Sequence, residues 1–243
     1  MAERDAPAAG GRGRAMSTGA FPVLALGDSY TIGEGVAPDG RWPAQLARAL
    51  RESGIPAGEP RIVAQTGWTT EELDAAIDAA DPQGPFELVT LLIGVNDQYR
   101  GHEVDGYRAR YDALLLRAIG FAGGRAGRVL ALSIPDWGVT PFGQASGRDP
   151  AAIARDIDAY NATAGERCAT HGTGWVDVAP VSRARGAHPS MLAEDGLHPS
   201  AAMYAEWTAL ALPEARRLLG AEPGSESTFA SRKVDSDPGF GSA

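Results

Sequence analysis

Phe21-Pro22-Val23-Leu24-Ala25-Leu26-Gly27-Asp28-Ser29-Tyr30-Thr31-Ile32-Gly33-Glu34-Gly35 is the stretch from which the rest of the chain can be read. Its apolar run, Phe21 to Leu26, has the length of a buried strand, and the small and polar residues behind it mark a loop at a sheet edge. Such loops hold chemistry, which makes Ser29 a candidate nucleophile. Asp28-Ser29 also has a purely local use, because Asp28 could turn the chain or cap a following helix. The segments downstream decide between the two.

The same pattern of strand, loop and helix recurs. Trp42 to Ser53 reads as a helix entered through Pro43, with Trp42, Leu46, Ala49 and Leu50 on one face. Arg61 to Ala64 is a second strand, followed by Gly67 and by a helix that starts at Thr69-Thr70-Glu71-Glu72. Leu88 to Ile93 is almost wholly apolar, as a strand buried on both faces should be, and runs into Gly94-Val95-Asn96-Asp97. A helix through Tyr107, Tyr111 and Leu115 leads to a fourth strand, Arg128 to Ile134, and a long loop, Pro135 to Pro150. A further helix ends near His171-Gly172, before a short fifth strand, Trp175 to Val178. Ala179 to Pro199 has no clear period, and Ser200 to Leu219 is a last helix with Trp207 and Leu210 inward.

Five strands alternating with helices predict an α/β protein built on an open parallel sheet covered on both faces, since parallel strands need helical crossovers. Ligands of such sheets bind beyond the C-terminal strand ends, near a switch point. Ser29, Gly67 and Asn96 follow the first, second and third strands, so one edge would present all three. Residues 21–220 are expected to form the domain, 1–20 a flexible extension and 221–243 a disordered tail rich in Gly, Ser and Pro. Met1 and Met16 are both possible starts.

A net charge of −9 over 243 residues, with no basic stripe, argues against nucleic acid as a partner. Lys233 in the tail is the single lysine, which removes P-loop, Schiff-base and Ser-Lys chemistry from the folded core. Cys168 is the single cysteine, so no intrachain disulfide or cysteine metal cluster can form, and a small buried residue is its expected role. Neither a signal peptide nor an apolar run long enough to span a membrane is recognised, so a cytoplasmic protein without an integral membrane segment is expected. Oligomeric state is not legible.

A serine nucleophile needs a base, a carboxylate to orient that base, and donors for the developing oxyanion. His171 sits at a helix end, where the dipole accounts for it. His102-Glu103 opens a zinc-helix motif that fails at Gly106. His188 and His198 are both followed by Pro-Ser, but Arg185 stands three positions before the first and Asp195 three before the second. A short turn at Gly196 can bring the Asp195 carboxylate onto the His198 ring, leaving the other ring nitrogen for Ser29. Glu194 could substitute for Asp195. The backbone N–H groups of Ser29 and Gly67 and the Asn96 side-chain amide are the available oxyanion donors, although a plain turn and an Asx turn would also explain Gly67 and Asn96.

Gly27-Asp28-Ser29-Tyr30, Gly67, Gly94-Val95-Asn96-Asp97 and Asp195-Gly196-Leu197-His198-Pro199, in that order, resemble the SGNH subgroup of GDSL-type esterases and lipases. The similarity spans roughly Phe21 to Leu219, with Tyr30 standing where the family name has Leu. It implies a flavodoxin-like three-layer α/β/α fold, a Ser29 nucleophile, a His198 base, an Asp195 orienter and an oxyanion hole from Ser29, Gly67 and Asn96. It also implies hydrolysis of carboxylic esters or thioesters of a small-molecule acyl substrate through an acyl-enzyme, of esterase or lysophospholipase type, with no metal and no cofactor; short to medium acyl chains are the expected substrates.

A carbohydrate O-deacetylase on the same fold is the alternative within esterases. A nucleotide-binding module without hydrolase activity is the alternative of another class, suggested by Gly33-Glu34-Gly35, although Pro38 stands where a dinucleotide fingerprint needs its last Gly and Glu34 would repel a pyrophosphate. Those glycines are better read as tightening the loop behind Ser29. Among Trp42, Trp68, Tyr99, Trp137 and Phe142, which could line an acyl pocket, Trp68 and Trp137 are the expected pocket residues.

Overall fold

The computed structural model describes residues 19–220; the N-terminal extension beyond Gly19 and the tail from 221 lie outside the described residues. Strands β1 (Phe21–Gly27), β2 (Ala57–Ala64), β3 (Leu88–Leu92), β4 (Val129–Leu132) and β5 (Gly174–Val176) form one parallel sheet in the order β2-β1-β3-β4-β5. The chain lays β2 on one side of β1 and every later strand on the other, so the switch point falls between β1 and β3.

The central strands are buried because both faces of the sheet are covered. All five residues of β3 and all four of β4 are buried. Helices α2 (Trp42–Glu52) and α9 (Ala201–Leu218) pack on each other, as do α3 (Thr70–Ala80), α5 (Val104–Phe121) and α7 (Pro150–His171) in succession. The fold is the expected α/β/α sandwich. Cys168 is buried in α7 against the Tyr111 hydroxyl at 3.8 Å, and burial pushes its thiol up, as suits a packing residue.

The sheet register fixes the functional edge. Gly27 pairs with Ala64 on one side and with Leu92 on the other, so β1, β2 and β3 end level. Ser29, Gly67 and Asn96 follow those three residues within one turn of chain.

Several elements differ from the sequence reading. Strand β2 begins at Ala57, ahead of the expected Arg61, because an edge strand tolerates Gly58 and Pro60 that would interrupt a central one. Three short helices, α4 (Val95–Tyr99), α6 (Pro141–Ala145) and α8 (Ala179–Arg185), occupy segments read as loop. One or two turns are too few to display a helical period. Leu210 is 43% exposed, against the inward position expected for it. Met203, Trp207, Ala211 and Ala215 define the buried stripe of α9, and Leu210 falls outside it at 3.6 residues per turn.

Candidate active site

Ser29 is the first residue of a four-residue helix, α1 (Ser29–Ile32), that starts as soon as β1 ends. The local use of Asp28 is realised here. Asp28 caps α1 by accepting the Tyr30 N–H at 3.0 Å, and the cap fixes the direction in which Ser29 leaves the sheet edge. Gly33 closes the helix with φ +70 and donates its N–H to the Ser29 carbonyl at 3.0 Å. Gly33 and Gly35, both at positive φ, therefore belong to the turn behind Ser29.

Asp195 and His198 come from the loop between α8 and α9. Leu192 bridges Pro199, and Ala193 N–H donates to the His198 carbonyl at 2.7 Å, which closes the loop into a small hairpin. Within it, Asp195 Oδ1 accepts the backbone N–H groups of Leu197 and His198 at 2.9 Å, and Asp195 Oδ2 lies 2.6 Å from His198 Nδ1. His198 Nε2 is 2.9 Å from Ser29 Oγ. With the ring proton on Nδ1, as the carboxylate dictates, Nε2 accepts from the serine hydroxyl. Burial raises the Asp195 carboxyl, but the His198 ring and the two backbone N–H groups outweigh it and hold the group below its usual range. Glu194 is exposed and makes none of these contacts.

Gly67 follows β2 with φ +86, a conformation that favours glycine, and its N–H donates to no described protein acceptor. Asn96, in α4, donates one side-chain hydrogen to the Trp68 carbonyl at 2.9 Å, and its second hydrogen has no acceptor among the described residues. Asp97, fully buried, accepts from Thr70 N–H at 2.8 Å and Thr70 Oγ1 at 2.7 Å, with Arg110 at 3.5 Å. The start of α3 is thus tied to α4. Sequence reasoning had no signal for these cross-links, which join residues far apart in the chain.

A cavity of about 190 Å³ opens at Ser29, Gly67, Asn96 and His198 and is walled by Val95, Tyr99, Trp137, Phe142 and Leu197. Trp137 lines this cavity, held by donation from its indole N–H to Gln98 Oε1 at 2.8 Å. Trp68 does not: its ring packs against the hydrophobic core, and only its carbonyl serves the site, through Asn96. Trp42 is wholly in the core. Tyr30 is buried with its ring 5.5 Å from that of His198 and 6.1 Å from that of Trp207, so it packs between them. His188 lies outside the cluster, its Nδ1 2.9 Å from Ser190 Oγ, and His171 pairs with Asp112 at 2.8 Å.

A parallel α/β sheet with serine, imidazole and carboxylate in one hydrogen-bonded line at its C-terminal edge defines a hydrolase class. Residues 25–206 match the model of the GDSL-like lipase/acylhydrolase family, and the chain belongs to that family. It is a carboxylic ester hydrolase. Its fold is similar to that of TesA (22% identity, TM-score 0.64, 81% of this chain and 99% of that one) and of the lipase/acylhydrolase from Enterococcus faecalis (20%, 0.61, 85% and 100%). Axe2, an acetylxylan esterase from Geobacillus stearothermophilus, is also similar (20%, 0.58, 83% and 95%). No curated protein matches the sequence. No helix among the described residues is long and apolar enough to cross a membrane.

Asp28 carries a consequence of its own. It is fully buried, its Oδ2 has no partner among the described residues, and burial pushes its carboxyl up to about 8, with the Tyr30 N–H pulling down and Asp97 adding to the rise. In the unfolded chain the same group ionises near pH ~4. Between those values the folded state keeps a proton that the unfolded state releases, so stability falls as pH rises through that window. Asp28→Asn removes this dependence. Its melting temperature relative to the parent should therefore improve from about pH 5 to about pH 8; an unchanged difference would show that Asp28 ionises normally.

Proposed function

We propose that this chain hydrolyses esters or thioesters of short acyl chains through an acyl-enzyme, with Ser29 as nucleophile, His198 as general base and acid, and Asp195 as orienter. The observation that carries this reading is the unbroken line from Asp195 Oδ2 to His198 Nδ1 (2.6 Å) and from His198 Nε2 to Ser29 Oγ (2.9 Å). Ser29 Oγ attacks the acyl carbonyl as its proton passes to His198 Nε2. The oxyanion accepts from the N–H groups of Ser29 and Gly67 and from the Asn96 amide, donors fixed before the charge develops. His198 returns the proton to the leaving alcohol or thiol, then activates a water that releases the acid. Asp195, held ionised by three N–H donors, stabilises the imidazolium in both halves.

The cavity supports small acyl groups. At about 190 Å³ it lies below the ~300 Å³ at which pockets for drug-sized ligands begin, and its walls are aromatic and aliphatic. Aromatic walls suit an acyl chain better than a sugar, which needs polar partners. Esters of small acyl groups are therefore favoured over long-chain lipids and over acetylated carbohydrate.

Three measurements test this reading. Ser29→Ala should abolish ester hydrolysis and fluorophosphonate labelling together; retention of both would remove Ser29 from the chemistry. Asp195→Ala should lower kcat by roughly 10² to 10⁴, the range for loss of an orienting carboxylate, whereas Glu194→Ala should stay within about twofold. The reverse ranking would reassign the carboxylate. Across nitrophenyl esters, kcat/KM should be highest for acetyl to butyryl and at least about tenfold lower for decanoyl, since each misfit methylene costs on the order of 1 kcal/mol. Faster turnover of acetylated xylooligosaccharide or of a lysophospholipid would move the substrate class accordingly.

A further inference from the structure

Arg100 stands one turn beyond Asn96, just past the end of α4, and its guanidinium faces the loop that carries Gly67. Nη2 donates to the Gly67 carbonyl at 2.7 Å, and Nη1 lies 3.3 Å from both carboxylate oxygens of Glu72. Glu72 in turn accepts the Thr69 N–H at 2.8 Å and completes the capping box of α3. One half-exposed side chain thereby joins the Gly67 peptide, the first turn of α3 and the helix that carries Asn96.

We infer that Arg100 is a positioning residue for the reaction: by holding the Gly67 carbonyl it fixes the peptide that follows Gly67 and so, through the Gly67 Cα, restrains the Gly67 N–H to point with the Asn96 amide at one place. The inference rests on the reading of Gly67 and Asn96 as oxyanion donors.

Gly67 needs such a clamp because its Cα is open on the side where a Cβ would project. A methyl group built on its Cα would meet no heavy atom nearer than Arg100 Nη2, at 4.0 Å. Besides the packing of the Trp68 ring on the core, the loop is held at three polar points: Thr66 Oγ1 by Glu34, the Gly67 carbonyl by Arg100, and the Trp68 carbonyl by Asn96. The Asp97–Thr70 bonds anchor the chain only from Thr70 onward. Without Arg100 the start of α3 stays attached, while Gly67 loses the contact on its carbonyl. The pairing with Glu72 largely offsets the guanidinium charge, so the contribution is geometric. Geometry matters at this scale, since displacing a catalytic group by ~1 Å can cost on the order of 100-fold in rate.

The test compares Arg100→Ala and Arg100→Lys with the parent, using nitrophenyl acetate and counting active sites by fluorophosphonate titration. Arg100→Ala should lower kcat per titrated serine by about 10- to 100-fold with KM within about twofold. Its affinity for a trifluoromethyl ketone, which forms a tetrahedral adduct on serine, should fall in parallel. Arg100→Lys, which can still donate to the Gly67 carbonyl, should recover most of the loss. A merely structural role would instead reduce the fraction of titratable serine and leave kcat per site unchanged. That result, or a kcat within twofold in the Ala variant, overturns the inference. Arg100→Gln replaces Ala if the latter fails to fold, with the same outcomes. Asn96→Ala in the same assay separates the two levels: a loss below about fivefold would sink the oxyanion reading itself, whereas a loss of ~10² to 10³ beside an unaffected Arg100→Ala would sink only the role of Arg100.

Discussion

The site depends on one register: Gly27 lies level with Ala64 on one side and with Leu92 on the other. Level strand ends are what let three separate loops deliver Ser29, Gly67 and Asn96 to one point. The alignment is tight enough to dictate residue type. A Cβ on Gly27 would collide with the Leu92 carbonyl and with Thr31 Oγ1, so a side chain there would push β3 or α1 away. Slipping the register by one residue would displace Ser29 by about 3.3 Å against its partners, far beyond hydrogen-bond tolerance.

Around that register the structure uses buried polar groups in two ways. Asp97 is fully buried and well satisfied, with Thr70 supplying two donors and Arg110 and His102 nearby. Such a carboxylate costs little to bury and stitches two loops together. Asp28, next to Ser29, has one donor and one bare oxygen, so it avoids the cost of a buried charge by keeping its proton. The two carboxyls at the same edge differ in the number of donors each receives.

Much of the architecture was legible because its signals are local. The apolar runs at Phe21–Leu26 and Leu88–Ile93 mark strands, the Thr69–Glu72 box marks a helix start, and alternation of the two marks a parallel sheet. The candidate site was legible because four short blocks occur in order, each just past a strand or before a helix. Helices α4, α6 and α8 escaped notice for being too short to show a period, and the first half of β2 for carrying Gly58 and Pro60 at a sheet edge. Trp68 was misread as a pocket wall because proximity in sequence to Gly67 says nothing about which way a ring turns.

The sequence by itself determined the fold class, the order of the loops at the functional edge and the residue types able to form a serine–imidazole–carboxylate line, since each depends on neighbours within a few positions. Only the tertiary structure decided which aromatic rings wall the cavity, that Asp195 and not Glu194 meets His198, and that Arg100 reaches the Gly67 carbonyl. These are contacts between segments far apart along the chain or choices of side-chain direction. Spacing in sequence leaves such distances open until the sheet register and the packing of the helices close them.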